Sequence, residues 1–192
     1  MTAARILTVR QPWAWAIIHA GKTVENRVRN LAGDYRGPVL IHVAQQVDLA
    51  AFSGQSRALT EAATAFNESN TDVLKSGPWH AGRGAIIGVV DLVDVHRPLW
   101  DGSSNAEGDG VCSLWADPGA HHLVLANPRA LDEPIPYKGA LGLRKTNFGI
   151  AGDWLYQETD RCTCGCGNTI GAMYGHEPGC GFEPVARLVA TS

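Results

Sequence analysis

The chain has 192 residues, 45% of them hydrophobic and 18% charged, which suits one globular domain, alone or with a small appendage, and a core that needs no cross-links. A net charge of −3 and a pI near 6.1 exclude an overall basic nucleic-acid coat, so any contact with nucleic acid must be a local patch. No apolar run reaches the roughly 20 residues of a membrane span, and Met1-Thr2-Ala3-Ala4-Arg5 lacks the apolar stretch of a secretory signal, so a soluble, cytoplasmic protein is expected.

The elements follow in chain order. Residues 5–10 are partly β-branched and read as a strand that stops at Gln11-Pro12. Pro12 suits a first helical turn, Trp13, Ile17 and Ala20 recur at helical spacing, and Gly21 is a C-terminal stop, so a helix of nine residues or so is expected there. Residues 22–28 alternate in character and predict a strand with Lys22, Val24 and Asn26 on one face and Thr23, Glu25 and Arg27 on the other. After a turn at 34–37, residues 38–44 read as a buried strand containing His42, and 48–68 favour helix. Residues 69–84 read as a loop carrying Trp79 and His80, and 85–95 give the strongest strand signal, with Gly88 as a bulge or close-approach point. The polar stretch 101–110 predicts a surface loop, 121–126 a further strand, and Pro134-Ile135-Pro136 a turn leading to 139–143. His121 and His122 alternate across their strand, so they do not share one ion and are given no role. Few helices and several short strands, without regular β-α-β order, favour a small mixed β-barrel of the α+β class over a doubly wound sheet.

Charge is unevenly spread. Residues 1–47 carry six basic side chains against two acidic, and residues 151–192 carry five acidic against two basic. The N-terminal quarter is the basic face.

Four stretches of that quarter are specific in combination: residues 8–16 (Thr-Val-Arg-Gln-Pro-Trp-Ala-Trp-Ala), Gly21-Lys22-x-x-Glu25-x-Arg27, Tyr35-Arg36-Gly37 and Ile41-His42-Val43-Ala44. Together with residues 88–93 and 134–143 they resemble the ASCH domain family, whose pattern is Gly-x-Lys-x-x-Glu-x-Arg. Here Lys follows Gly directly, one residue closer, while Lys-x-x-Glu-x-Arg is kept. The resemblance covers residues 5–148 or so and implies a PUA-like β-barrel flanked by a few helices, with the Lys, Glu and Arg lining a cleft. It also implies a link to RNA, through binding, through ribonuclease activity or through hydrolysis of an acylated cytidine.

Read as chemistry, Lys22, Glu25 and Arg27 put two cations and one carboxylate within six residues, a group able to hold a phosphate or polarised carbonyl and to move a proton. In a hydrolase, Lys22 would be the activating base or a direct participant, Glu25 the partner setting its protonation, and Arg27 the substrate anchor. The plain alternative is a surface salt bridge on a hairpin. Strand alternation also sets Lys22 on the face opposite Glu25 and Arg27. Gln11, Trp13, Tyr35, Arg36 and His42 are the candidate ligand contacts; Trp13 or Trp15 instead packs in the core, and His42 has the alternative of a hydrogen-bonded core residue. Net acidity favours a small or single-stranded ligand over long nucleic acid.

Residues 151–192 form an expected C-terminal extension to a domain at 1–150. Cys162, Cys164, Cys166, His176 and Cys180 offer five ligands within 19 residues, flanked by glycines, and Cys162 to Cys166 and His176 to Cys180 each enclose three residues. This predicts structural zinc held by four of the five, the alternative being a flexible or redox-active tail. The extension is also a candidate surface for a protein partner. Cys112 stands apart from it.

Overall fold

The computed structural model describes residues 1–53, 56–67, 81–97, 112–158 and 182–191. The first β-branched run forms β1 (Thr2–Gln11), followed by α1 (Trp13–His19), the short β2 (Val24–Arg27) and β3 (Gly37–Val47). A 3-10 turn (Leu49–Ser53) and α2 (Arg57–Asn67) replace the single helix expected over 48–68. Then come β4 (Ala85–His96), β5 (His121–Pro136), β6 (Leu143–Ala151), β7 (Trp154–Glu158) and β8 (Phe182–Ala190).

Seven of these strands close a ring in the order β5-β4-β3-β1-β6-β7-β8 and back to β5, with β2 added to β5 outside the ring. The barrel is mixed, because β1 and β3 run parallel while every other pair is antiparallel. Closure depends on the long β5. Its residues 121–124 pair with β2 and residues 129–131 pair with β8 along the same edge. Asn127, at a φ of 50°, bends the strand between the two partners. Asp91 on β4 straps that bend, accepting from Asn127 Nδ2 at 2.9 Å and pairing with Arg129 at 3.1 Å. Pro128 sits in the gap where no ladder partner needs its missing N–H. The sequence places only 121–126 in this strand, since Asn-Pro ordinarily ends one. The barrel also runs past the boundary expected at 150: β7 and β8 are staves of it, and the five proposed zinc ligands of the tail lie outside the described residues.

Alternation along β1, β3 and β4 feeds two cores. Ala4, Ile6, Leu40, Ile86, Val89, Leu131, Phe148, Ile150, Leu155, Ala186 and Leu188 come from all seven ring strands and fill the barrel. Leu7, Val9, Val39, Ile41, Val43, Val90 and Leu92 face the other way and pack on Ala14, Ile17 and Ile18 of α1. Gly88 permits this close packing. A Cβ there would lie 2.6 Å from the Arg129 carbonyl oxygen and 2.7 Å from Ile18 Cδ1, at a point where the β3–β4 and β4–β5 registers both shift. The far side of α1 carries Trp15, which is buried with Ala51 and Leu59 beneath the 3-10 turn and α2. Among the described residues no helix is long and apolar enough to cross a membrane.

Candidate functional site

The site starts where α1 ends. Gly21 adopts a φ of 65°, which L side chains rarely tolerate, and this turn lets the Lys22 N–H reach back to the Ala16 carbonyl at 3.0 Å. Lys22 therefore precedes β2 instead of belonging to it, and the face alternation expected over 22–28 does not bind it. Its ammonium donates to the Val24 carbonyl and lies 3.4 Å from Glu25 Oε2. Glu25 Oε1 is 3.1 Å from Arg27 Nη2, which also donates to the Thr8 carbonyl at 3.0 Å. A continuous relay thus runs from Lys22 through Glu25 and Arg27 to the backbone of β1.

Lys22 is 4% exposed and Glu25 8% exposed, so the pair is sealed from bulk water. Burial pushes the Lys22 amine below the ordinary lysine range; the Glu25 carboxylate and, more weakly, Asp117 oppose that shift, while Arg27 adds to it. Arg27 Nε is buried with no hydrogen-bond partner among the described residues, which leaves one donor of the relay unspent.

These residues form the floor of a cleft of about 1130 Å³. Trp13 and Trp115 flank the ammonium, with ring centroids 5.6 and 5.9 Å from Nζ. Trp13 is fixed by donating its indole N–H to Asp48 at 2.9 Å. Trp115 rides on the segment 112–117, which is laced to β2 and the residue before it: Ser113 and Thr23 share a hydroxyl hydrogen bond of 2.9 Å, Asn26 Nδ2 donates to the Trp115 carbonyl, and the Asp117 N–H donates to Asn26 Oδ1. Arg10, Lys22, Arg27 and Arg57 face Glu25, Asp48 and Asp117 around the walls, and Leu114 and Leu141 stand at the lips, both more than 85% exposed.

Of the side chains singled out in the sequence, the structure brings Lys22, Glu25, Arg27 and Trp13 together on this cleft, whereas Gln11, Tyr35, Arg36 and His42 do not line it. The Gln11 amide is spent structurally, its oxygen accepting from the Trp15 N–H at the start of α1 and its nitrogen donating to the Ala81 carbonyl. Tyr35 donates to the Pro38 carbonyl and carries the Arg5 guanidinium 4.0 Å above its ring. Arg36 donates to the carbonyls of Gly33 and Tyr35 and pairs with Asp94 at 3.5 Å. His42 is buried against the Tyr137 carbonyl at 2.9 Å, its pKa lowered by that burial. Trp115 and Asp117 were missed, because nothing in the local sequence around them signals that this short stretch packs on β2. Trp79 lies outside the described residues.

Among the described residues one group has the donors to hold a metal ion, and it is not the one the sequence favoured: His96, Cys112 and His122, whose ligand atoms all lie within 4.8 Å of one another. His122, set aside in the sequence for its neighbour His121, belongs here. The reason is tertiary, since its partners come from β4 and from the 112–117 segment.

The family model for the ASCH domain matches residues 7–135, from β1 through β5, and so includes the whole relay, both flanking tryptophans and the strand that seats β2. The chain belongs to the ASCH domain family, and its closed mixed barrel with two helices is the PUA-like α+β fold of that family.

Proposed function

We propose that the cleft binds RNA or a modified nucleoside, with Lys22, Glu25 and Arg27 at its floor. The observation that carries this reading is the buried relay between two tryptophan rings. Two cations share one carboxylate, so the floor keeps a net positive charge in a low-dielectric site, which favours a phosphate or a polarised carbonyl. Trp13 and Trp115 supply apolar faces on which a base stacks. The family's link to RNA points the same way. The volume suits one nucleotide or a short single strand, and the acidic whole-chain charge disfavours long duplexes.

The test is calorimetric titration of the full chain with short single-stranded RNAs and with plain and acylated nucleosides. Lys22→Ala and Arg27→Ala should each weaken binding at least tenfold or so, the loss of one charge-assisted hydrogen bond of about 1.5 kcal/mol. If a phosphate is held, each variant should also lower the salt slope by about one. Unchanged affinity in both variants would remove the reading.

One observation favours a hydrolase instead: burial lowers the pKa of an amine that already touches a carboxylate. In that reading, acting on RNA or on an amide-modified base, the neutral Lys22 amine takes a proton from the attacking water or hydroxyl, Glu25 stabilises the ammonium so formed, and Arg27 holds the oxygen on which charge develops. Product analysis after incubation with an acylated nucleoside decides between the two. Turnover that disappears in Lys22→Ala while the fold survives makes the protein an enzyme; stable binding without product makes it a reader.

The cysteine-rich tail remains, in our reading, a structural zinc segment, supported by five donors within 19 residues. Metal analysis of the full chain with Cys162, Cys164, Cys166 and Cys180 replaced by Ser should show the loss of one zinc per chain.

A further inference from the structure

We infer that His96, Cys112 and His122 form a second, separate binding site for a zinc-class transition metal, and that the metal fastens the cleft wall carrying Trp115 to β4 and β5. The inference rests on how each histidine is held from behind. His96 and His122 are cross-strand partners on β4 and β5, and their rings stand 5.4 Å apart and nearly perpendicular. His96 Nδ1 donates to Asp94 Oδ2 at 2.7 Å, which leaves Nε2 as the free nitrogen. His122 Nε2 donates to the Asp117 carbonyl at 2.9 Å, which leaves the Nδ1 lone pair facing the Cys112 thiol at 3.3 Å. Each imidazole thus has one nitrogen tied to an oxygen acceptor and keeps a lone pair on the other, the arrangement that fixes tautomer and orientation in histidine ligands to metals.

The distances suit the ion. Metal–nitrogen bonds of about 2.0–2.1 Å and a metal–sulfur bond of about 2.3 Å put tetrahedral ligands roughly 3.5 Å apart. The Cys112–His122 pair already meets that spacing, and the partly exposed His96 completes a set whose donor atoms all lie within 4.8 Å of one another. The metal takes the place of the thiol proton, and two imidazoles with one thiolate are donors that zinc and cobalt prefer to the alkaline earths. Three ligands leave the fourth position to water or another donor. The consequence for the fold is specific: Cys112 and the Asp117 carbonyl meet His122 from either side of Trp115 in the chain, so an ion on Cys112 and His122 ties that stretch to β5.

The test separates this site from the tail. In the full chain with Cys162, Cys164, Cys166 and Cys180 replaced by Ser and stripped of metal, cobalt titration should give one equivalent with a thiolate-to-cobalt charge-transfer band. That band should vanish in the further variant Cys112→Ser. His96→Ala, at a half-exposed position whose loss leaves the fold intact by circular dichroism, should keep the band and weaken cobalt at least tenfold; Asp94→Asn should weaken it by about tenfold through the ring it orients. Zinc should raise the melting temperature of the tail-substituted chain and leave that of its Cys112→Ser derivative unmoved. Absence of the band in the tail-substituted chain, its persistence in Cys112→Ser, or unchanged cobalt affinity in both His96→Ala and Asp94→Asn would overturn the inference. None of these readouts involves RNA or nucleosides, so they stand or fall apart from the function of the cleft.

Discussion

The two polar clusters served by β2 and β5 obey opposite rules. Lys22, Glu25 and Arg27 are charged groups that meet one another directly, two of them sealed from solvent, and each is answered by an opposite charge or a carbonyl. In the second cluster His96 and His122 are each tied through one ring nitrogen, to the Asp94 carboxylate and the Asp117 carbonyl, Cys112 Sγ lies 3.3 Å from His122 Nδ1, and the donor atoms of all three gather within 4.8 Å. A buried charge cannot be left alone, so the first cluster is bound into the stability of the fold; a neutral imidazole or thiol is cheap to expose, so the second can wait for a ligand. Only one residue of register separates them, for Glu25 stands opposite Leu123 and Asn26 opposite His122.

That contrast breaks most visibly at Glu25. Glu25→Ala leaves two cations facing each other without their carboxylate and should cost about 3 kcal/mol, read by urea denaturation. A loss well below 1 kcal/mol would mean that water already reaches the relay.

Lys22→Met is the sharper probe, since Glu25 keeps Arg27 and the added bulk is similar; stability at neutral pH should stay within about 1.5 kcal/mol while ligand binding is lost. Its pH dependence carries a definite sign. The folded chain holds the Lys22 proton less tightly than the unfolded chain, so in the interval between the lowered value and the ordinary 10.5 the unfolded state binds more protons, and wild-type stability gains on that of Lys22→Met as pH rises. Urea midpoints of both proteins across the alkaline range would show it; a constant gap would mean that the folded amine titrates like a free one.

His42 offers a milder version on the acid side. Its folded pKa lies below 6.5, so stability that is intact at neutral pH should be lost as pH falls below 6.5 toward the folded value, and the loss should shrink in His42→Gln. At the quiet end, Arg36→Ala removes a half-exposed pair with Asp94 and two exposed hydrogen bonds to the carbonyls of Gly33 and Tyr35, which water can replace, and should change stability by less than about 0.5 kcal/mol and nucleoside affinity not at all. A measurable loss of affinity there would extend the ligand beyond the cleft.

Much of the frame is legible in the amino-acid sequence. The β-branched runs of β1, β3 and β4 announce themselves because their side chains suit a pleated, buried surface, and α1 does so through its spacing and Gly21. Gly88 was readable as a close-approach point, and a Cβ there does collide with backbone. What stayed hidden is non-local. β5 continues through Asn127-Pro128 because Asp91, 36 residues earlier, straps the bend, and β6 to β8 close the barrel through pairings that no local pattern encodes.

The amino-acid sequence alone determined the local elements and the family motif, since propensity, periodicity and the order of short motifs act within a few residues. The tertiary structure decided which motif residues meet. Lys22 joins Glu25 because a left-handed glycine sets it ahead of the strand, Tyr35, Arg36 and His42 turn to other partners, and Trp115 comes to the ammonium from 93 residues away. The physical reason is the same in each case: a side chain's direction follows from its neighbours in space, and those are assigned only when the barrel closes.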